Sequence, residues 1–66
     1  IQETEPEYVV DKIVDHGMRE DGFMKAKVRW YGFTEKEDTW EPVANLPRYF
    51  LRIYARRQGI SVRSLV

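Results

Sequence analysis

Met24-Lys25-Ala26-Lys27-Val28-Arg29-Trp30 is the stretch whose reading decides the fold. Apolar and cationic residues alternate here without a break. Successive side chains of an extended chain point to opposite faces. The pattern therefore predicts a strand with Met24, Ala26, Val28 and Trp30 on a core face and Lys25, Lys27 and Arg29 toward water. Gly32 ends it, and Thr34-Glu35-Lys36-Glu37-Asp38 reads as an exposed loop. Thr39-Trp40-Glu41 follows as a second short strand, stopped by Pro42, which has no N–H to give to a ladder.

Upstream, Val9, Val10, Ile13 and Val14 are spaced as a helix would space them, so periodicity alone does not settle that segment. Four β-branched residues in six positions favour a strand over Glu7–Asp15, bent by a bulge near Asp11–Lys12. Gly17 and Arg19-Glu20-Asp21-Gly22 supply the turn chemistry that leads into the alternating strand. Downstream, Leu46, Tyr49, Phe50, Ile53 and Tyr54 recur at helical spacing, with Arg48, Arg52 and Arg56 on another side. Pro47 suits the first helical position, and Gly59 the left-handed residue after the last turn. These elements define an α+β domain, a three-stranded antiparallel sheet closed by a C-terminal helix. Trp40 is expected in the core between sheet and helix. His16, alone in a turn region, is given no function, and residues 59–66 are an unassigned tail. Residues 1–6 read as a flexible acidic lead-in, so the domain proper is expected over 7–58.

Composition narrows the chemistry. The chain has 66 residues, no cysteine and one histidine, so thiolate metal sites and disulfides are excluded and a zinc site is not expected. No stretch reaches the ~20 apolar residues of a membrane span. The many carboxylates come without a nucleophile, base or oxyanion arrangement, so no enzyme, cofactor or metal is expected. Formal net charge is zero but unevenly distributed: residues 1–22 hold seven acids and two bases, whereas residues 47–66 hold five arginines and no acid. An acidic beginning attracts cationic partners. The basic end either solubilises the domain or touches nucleic acid.

Glu7-Tyr8-Val9-Val10-Asp11-Lys12-Ile13-Val14-Asp15, Lys27-Val28-Arg29-Trp30-Tyr31-Gly32-Phe33, Asp38-Thr39-Trp40-Glu41-Pro42 and Asn45-Leu46 together resemble the chromodomain family. The resemblance runs in order from Glu7 to about Arg57. It implies a reader of methylated lysine on a histone tail, most often histone H3, acting in the nucleus at chromatin. Tyr8, Trp30 and Phe33 stand where the family forms an aromatic cage. Glu37 matches a position on the cage rim. The tail is implied to add as a strand between Glu7, Val9 and Val10 on one side and Asn45 on the other. A trimethylammonium has no N–H to donate, and aromatic faces suit its charge and its methyl surface together. Purely structural roles also fit several of these residues. Burial alone accounts for Trp30, which shares its parity with Val28. Core packing accounts for Val10, loop geometry for Asn45, and Glu37 reads equally as one more solvated charge.

The sequence also departs from the family. Phe33 stands where Tyr is frequent, which keeps the ring face. Ala26 and Lys27 replace bulkier residues, and Pro47 replaces a position that is often acidic in one branch, which puts the usual histone-site preference in doubt. The alternative function is a chromo-like targeting module of a retroelement integrase or chromatin enzyme, binding nucleic acid through Arg48, Arg52, Arg56, Arg57 and Arg63. Dimerisation through the helix, as in shadow domains of the family, fits the intact aromatic triad poorly. A monomer is expected.

Overall fold

The computed structural model describes residues 8–18 and 20–66; the lead-in over residues 1–6 and Glu7 lie outside them. Strands β1 (Val10–Met18), β2 (Met24–Trp30) and β3 (Thr39–Pro42) form an antiparallel sheet in the order β1-β2-β3. Helix α1 (Arg48–Gln58) closes it. This is the α+β architecture that the alternating stretch predicts.

Register explains why the β1 sequence has helical spacing. Val10 pairs with Trp30, Lys12 with Arg29, Ile13 with Val28, Asp15 with Lys27 and His16 with Ala26. One extra residue is therefore inserted at Asp11 and another at Val14. Each bulge resets the two-residue alternation. Val10, Ile13, His16 and Met18 thus share the face of Met24, Ala26, Val28 and Trp30, a spacing of three, three and two rather than an even two. The strand also runs through Gly17, which pairs with Lys25, to Met18, which pairs with Met24.

Two expectations for the core are corrected. Trp40 is half-buried and does not belong to the main core cluster. It pairs with Lys27, while Thr39 pairs with Val28, so Trp40 lies on the opposite face of the sheet from Ala26 and Val28. The strand reads Thr39-Trp40-Glu41, and the polar residues at its ends take the face of Val28 and Ala26. The helix stripe is also rotated. Leu51, Tyr54 and Ala55 are the buried helical residues, with Phe50 half-buried beside them, and Tyr49 is 61% exposed.

Pro47 precedes the helix with extended backbone (φ −61°, ψ 136°) as its cap rather than its first residue. At the other end Gly59 has φ 72°. Its N–H donates to the Arg56 carbonyl at 3.2 Å, and the Ile60 N–H to that of Ala55 at 3.0 Å. This paired arrangement is a Schellman closure, and it needs the left-handed residue that glycine adopts at least cost. The chain then turns back along the helix, and Leu65 is 1% exposed within the core of Ile13, Ala26, Val43, Leu51 and Tyr54. His16, far from being alone in a turn, sits on the core face of β1. Its Nδ1 lies 2.7 Å from the Tyr54 hydroxyl, which ties β1 to α1. Burial, with Asp15 nearby, pushes the Tyr54 phenol up.

Candidate binding site

The sheet ends where β2 runs into Trp30-Tyr31-Gly32-Phe33. The Phe33 N–H donates to the Trp30 carbonyl at 3.0 Å, and Gly32 has φ 84°. A tight turn with its third residue in the left-handed region needs glycine there, and Gly32 supplies it. The turn reverses the chain so that Phe33 comes back toward Trp30. From the other strand, the Tyr31 N–H donates to the Val9 carbonyl at 2.7 Å, one step beyond the pairing of Val10 with Trp30. That bond carries the ladder up to Tyr8.

Three rings meet as a result. The Tyr8 ring lies 5.9 Å from Trp30 at 71° and 5.7 Å from Phe33 at 33°, centroid to centroid. Tyr8 is 61% and Phe33 44% exposed, so the cluster is open to solvent on one side. The rings line a cleft shared with Glu37, Thr39 and Glu41. Aromatic faces with carboxylates at their edge favour a cation that has little hydration to lose.

Two hydrogen-bonded devices hold these walls. The Trp30 Nε1–H donates to Thr39 Oγ1 at 2.9 Å, and the Thr39 hydroxyl donates to Glu41 Oε2 at 2.7 Å. Thr39 and Glu41 alternate on one face of β3, the face of Trp30, and so fix the indole plane. Thr34 and Glu37 form a reciprocal cap around the single 3-10 turn Glu35–Glu37. The Thr34 hydroxyl and N–H donate to Glu37 Oε1 at 2.6 and 2.9 Å. These bonds, the hydroxyl first, hold the Glu37 carboxyl below the usual carboxylate range. Glu37 therefore stays an anion on the cleft wall. The loop is anchored underneath by a bidentate pair: Arg29 Nε and Nη2 donate to the two Asp38 oxygens at 2.6 and 2.9 Å. The Asp38 side chain is 2% exposed, and the guanidinium holds its carboxyl below the ordinary range.

Of the residues marked in the sequence, Tyr8, Trp30, Phe33 and Glu37 come together in this cleft. Val9 is exposed and Val10 half-buried at the start of β1, next to it. Asn45 does not join them. It lines a separate groove with Phe23, Met24, Leu46 and Leu65, and the two hollows share no lining residue. Arg48, Arg52, Arg56 and Arg57 are all exposed on α1, and none lines the cleft. Thr39 and Glu41 were missed as wall residues. The signal was available: two polar residues two apart on a strand share a face, and that face is the one Trp30 occupies.

A three-stranded sheet closed by one helix, with an open aromatic cleft at the strand ends, is the frame of a small binding module. The chain belongs to the Chromo (CHRromatin Organisation MOdifier) domain family, whose model matches residues 8–57. It is similar to heterochromatin protein 1 of Drosophila melanogaster, 44% identical over 45 residues covering 68% of this chain and 21% of that protein. It is also similar to a histone-lysine N-methyltransferase, H3 lysine-9 specific, of Schizosaccharomyces pombe, at 42% over 41 residues (61% of this chain, 8% of the relative). A DNA (cytosine-5)-methyltransferase 3 of Zea mays is 42% identical over 52 residues (71% and 6%). The chain spans about a fifth or less of the length of these relatives.

Proposed function

We propose that this domain is a non-catalytic reader of methylated lysine on a histone tail, H3 in the first instance, and that it works at chromatin in the nucleus. The observation that carries the reading is the cleft itself. Three rings, two of them substantially exposed, face one hollow beside the Glu37 carboxylate. Each ring contributes ~0.5–2 kcal/mol to holding a desolvated ammonium. The Glu37 carboxylate adds attraction and accepts the remaining N–H of a dimethylated form. Similarity to a methyltransferase named for H3 lysine 9 supports the choice of ligand.

The tail adds beside β1, which is an edge strand of the sheet and so offers unpaired backbone groups. Val9 and Val10 meet alternate side chains of the peptide. Glu7 steers its basic residues. Substrate turnover has no place in this scheme, and neither cofactor nor metal is required.

The test compares a trimethyllysine H3 peptide with its neutral tert-butyl carbon isostere, by calorimetry, on the native chain and on Tyr8→Ala. The isostere keeps the buried area and loses the charge, so it binds at least ten times more weakly, ~1.4 kcal/mol or more. Tyr8→Ala costs the charged peptide a similar factor while leaving the melting temperature nearly unmoved, because Tyr8 is largely exposed. Equal binding of the two peptides would leave only a hydrophobic pocket. Normal binding by Tyr8→Ala would remove the cleft from the account altogether.

A further inference from the structure

Phe23 belongs to neither the core nor the aromatic cleft. It is 68% exposed, yet its backbone is tied down. Its N–H donates to Asp21 Oδ1 at 3.0 Å, and Lys25 Nζ meets the other Asp21 oxygen at 2.9 Å. These contacts, the Phe23 N–H first, hold the Asp21 carboxyl below its ordinary value. A large ring is thus offered to water from a turn held on both sides. It forms one edge of a groove of about 750 Å³. Val43, Leu51 and Leu65, all buried, make the floor, and Val66, 63% exposed, stands at the rim with Phe23. A continuous apolar hollow bordered by charged side chains marks a surface that a partner covers.

The charge of the groove selects the partner. The charged side chains that line it are Asp21, Lys25 and Arg48. Asp21 and Lys25 neutralise one another, whereas Arg48 makes no ion pair among the described residues. Residues 42–66 contain no acid, and the positive end of the α1 dipole adds to the sign of Arg48. A basic histone tail therefore meets like charge here. A second copy of this face offers Arg48 no acid beyond Asp21, which Lys25 already holds. A compact small molecule leaves the Phe23 and Val66 edges uncovered. The backbone selects the partner's shape. Of the edge strand β3 only Pro42 lines the groove, and proline has no N–H for a ladder. An added strand finds nothing to pair with, and a helix, which satisfies its own backbone, fits instead.

We propose that this groove is a docking site for an acidic amphipathic helix of a partner protein. The apolar stripe of that helix lies on Val43, Leu46 and Leu65 between Phe23 and Val66, and one of its carboxylates meets Arg48. The groove shares no lining residue with the aromatic cleft, and the assignment holds whether or not the cleft takes methyllysine.

The experiment is fluorescence anisotropy of the full chain with three labelled synthetic peptides of about fourteen residues. The first carries leucines at i, i+3, i+4 and i+7 and glutamates on its other face. The second has lysine for each glutamate, and the third scrambles the first so that no apolar stripe remains. The glutamate peptide should bind with a dissociation constant on the order of 10–100 μM at low salt, and the other two about ten times more weakly or worse. Phe23→Ser should weaken it about tenfold. Val66→Ser tests the same rim without touching the turn and should weaken it about threefold. Arg48→Gln should reduce the preference for glutamate over lysine to about threefold or less, with Arg48→Lys keeping most of it. All three positions are exposed, so circular dichroism melts of these variants should match the native chain. Amide shift mapping should place the perturbations at Phe23, Leu46 and Val66 and leave Tyr8 and Phe33 unmoved. Four results would overturn the proposal. They are equal affinity for the two charges, equal affinity for the scrambled peptide, perturbations centred on Arg52 and Arg56, or a native chain that sediments as a dimer while Phe23→Ser sediments as a monomer.

Discussion

At the scale of single residues, Trp30 shows how a ring becomes a fixed surface rather than a loose one. Its indole N–H is held by Thr39, and Thr39 is held by Glu41. Thr39→Val keeps the β-branched shape that suits a strand and deletes both bonds. Thr39 is exposed, so water replaces the lost partners and stability should fall by less than about 1 kcal/mol. Affinity for a methylated peptide should fall roughly three- to tenfold, because the indole plane is no longer set before binding. Calorimetry and a thermal melt on the same variant separate the two effects. An unchanged affinity would mean that packing against Tyr8 alone orients the ring. The sequence disclosed the three rings through the motif around Gly32, but it did not disclose this chain of bonds. Thr39 and Trp30 are nine positions apart, and only the pairing of β2 with β3 makes them neighbours.

Among the elements, the segment between β2 and β3 is the least regular and the most heavily tied. Thr34 and Glu37 carry the three-residue spacing of a capping box, which was legible in the sequence although the stretch reads first as an exposed loop. The Arg29–Asp38 pair was not legible. Alternation assigns Arg29 to water, and only the fold of the loop beneath that face brings Asp38 to it. The pair also makes a pH prediction. Asp38 is held below its ordinary value, so the folded state binds fewer protons than the unfolded chain in that range. Its contribution is fully present above about pH 4 and is lost as pH falls below it. Glu37, shifted the same way by Thr34, adds to the same limb. Melting temperature should therefore fall as the pH drops below about 4. Asp38→Asn should lower it by several degrees already at neutral pH, since Arg29 then lacks its anion, and should make the acid limb shallower. Circular dichroism melts from pH 7 down to 2 measure both. An acid limb of equal steepness in the variant would assign it to other carboxylates. Helix α1 teaches a related lesson: Tyr49 has the size and spacing of a core residue, yet Leu51 and Ala55 take the inner face, and β1 and the returning chain end decide which face that is.

For the molecule as a whole, the decisive fact is how little a chain of this length can bury, about 60% of the surface its unfolded form exposes. A main core cluster of seven buried residues among those described has nothing to spare, and one of them, Leu65, comes from beyond the helix, in a stretch whose pattern made no assignment possible. Its apolar residues Ile60, Val62 and Leu65 follow no period of two or of 3.6, because a Schellman closure and a 3-10 turn over Val62–Ser64 carry the chain back across α1. Removing residues 60–66 should uncover Leu51 and Ala55 and delete the fully buried Leu65. Burying one leucine is worth about 1.5–3 kcal/mol, and the half-buried Ile60 and Val62 add to it. A loss of ~2–4 kcal/mol is then a large part of the roughly 3–10 kcal/mol expected of so small a domain. The truncated chain should be partly unfolded at 37 °C, and Leu65→Ala alone should cost about 2–3 kcal/mol. Urea titrations of the full chain, the truncation and Leu65→Ala measure the three stabilities directly. None of the residues removed lines the aromatic cleft, so the folded fraction should bind methylated peptide with unchanged affinity. A truncation as stable as the full chain would confine the cooperative unit to residues ending at Gly59.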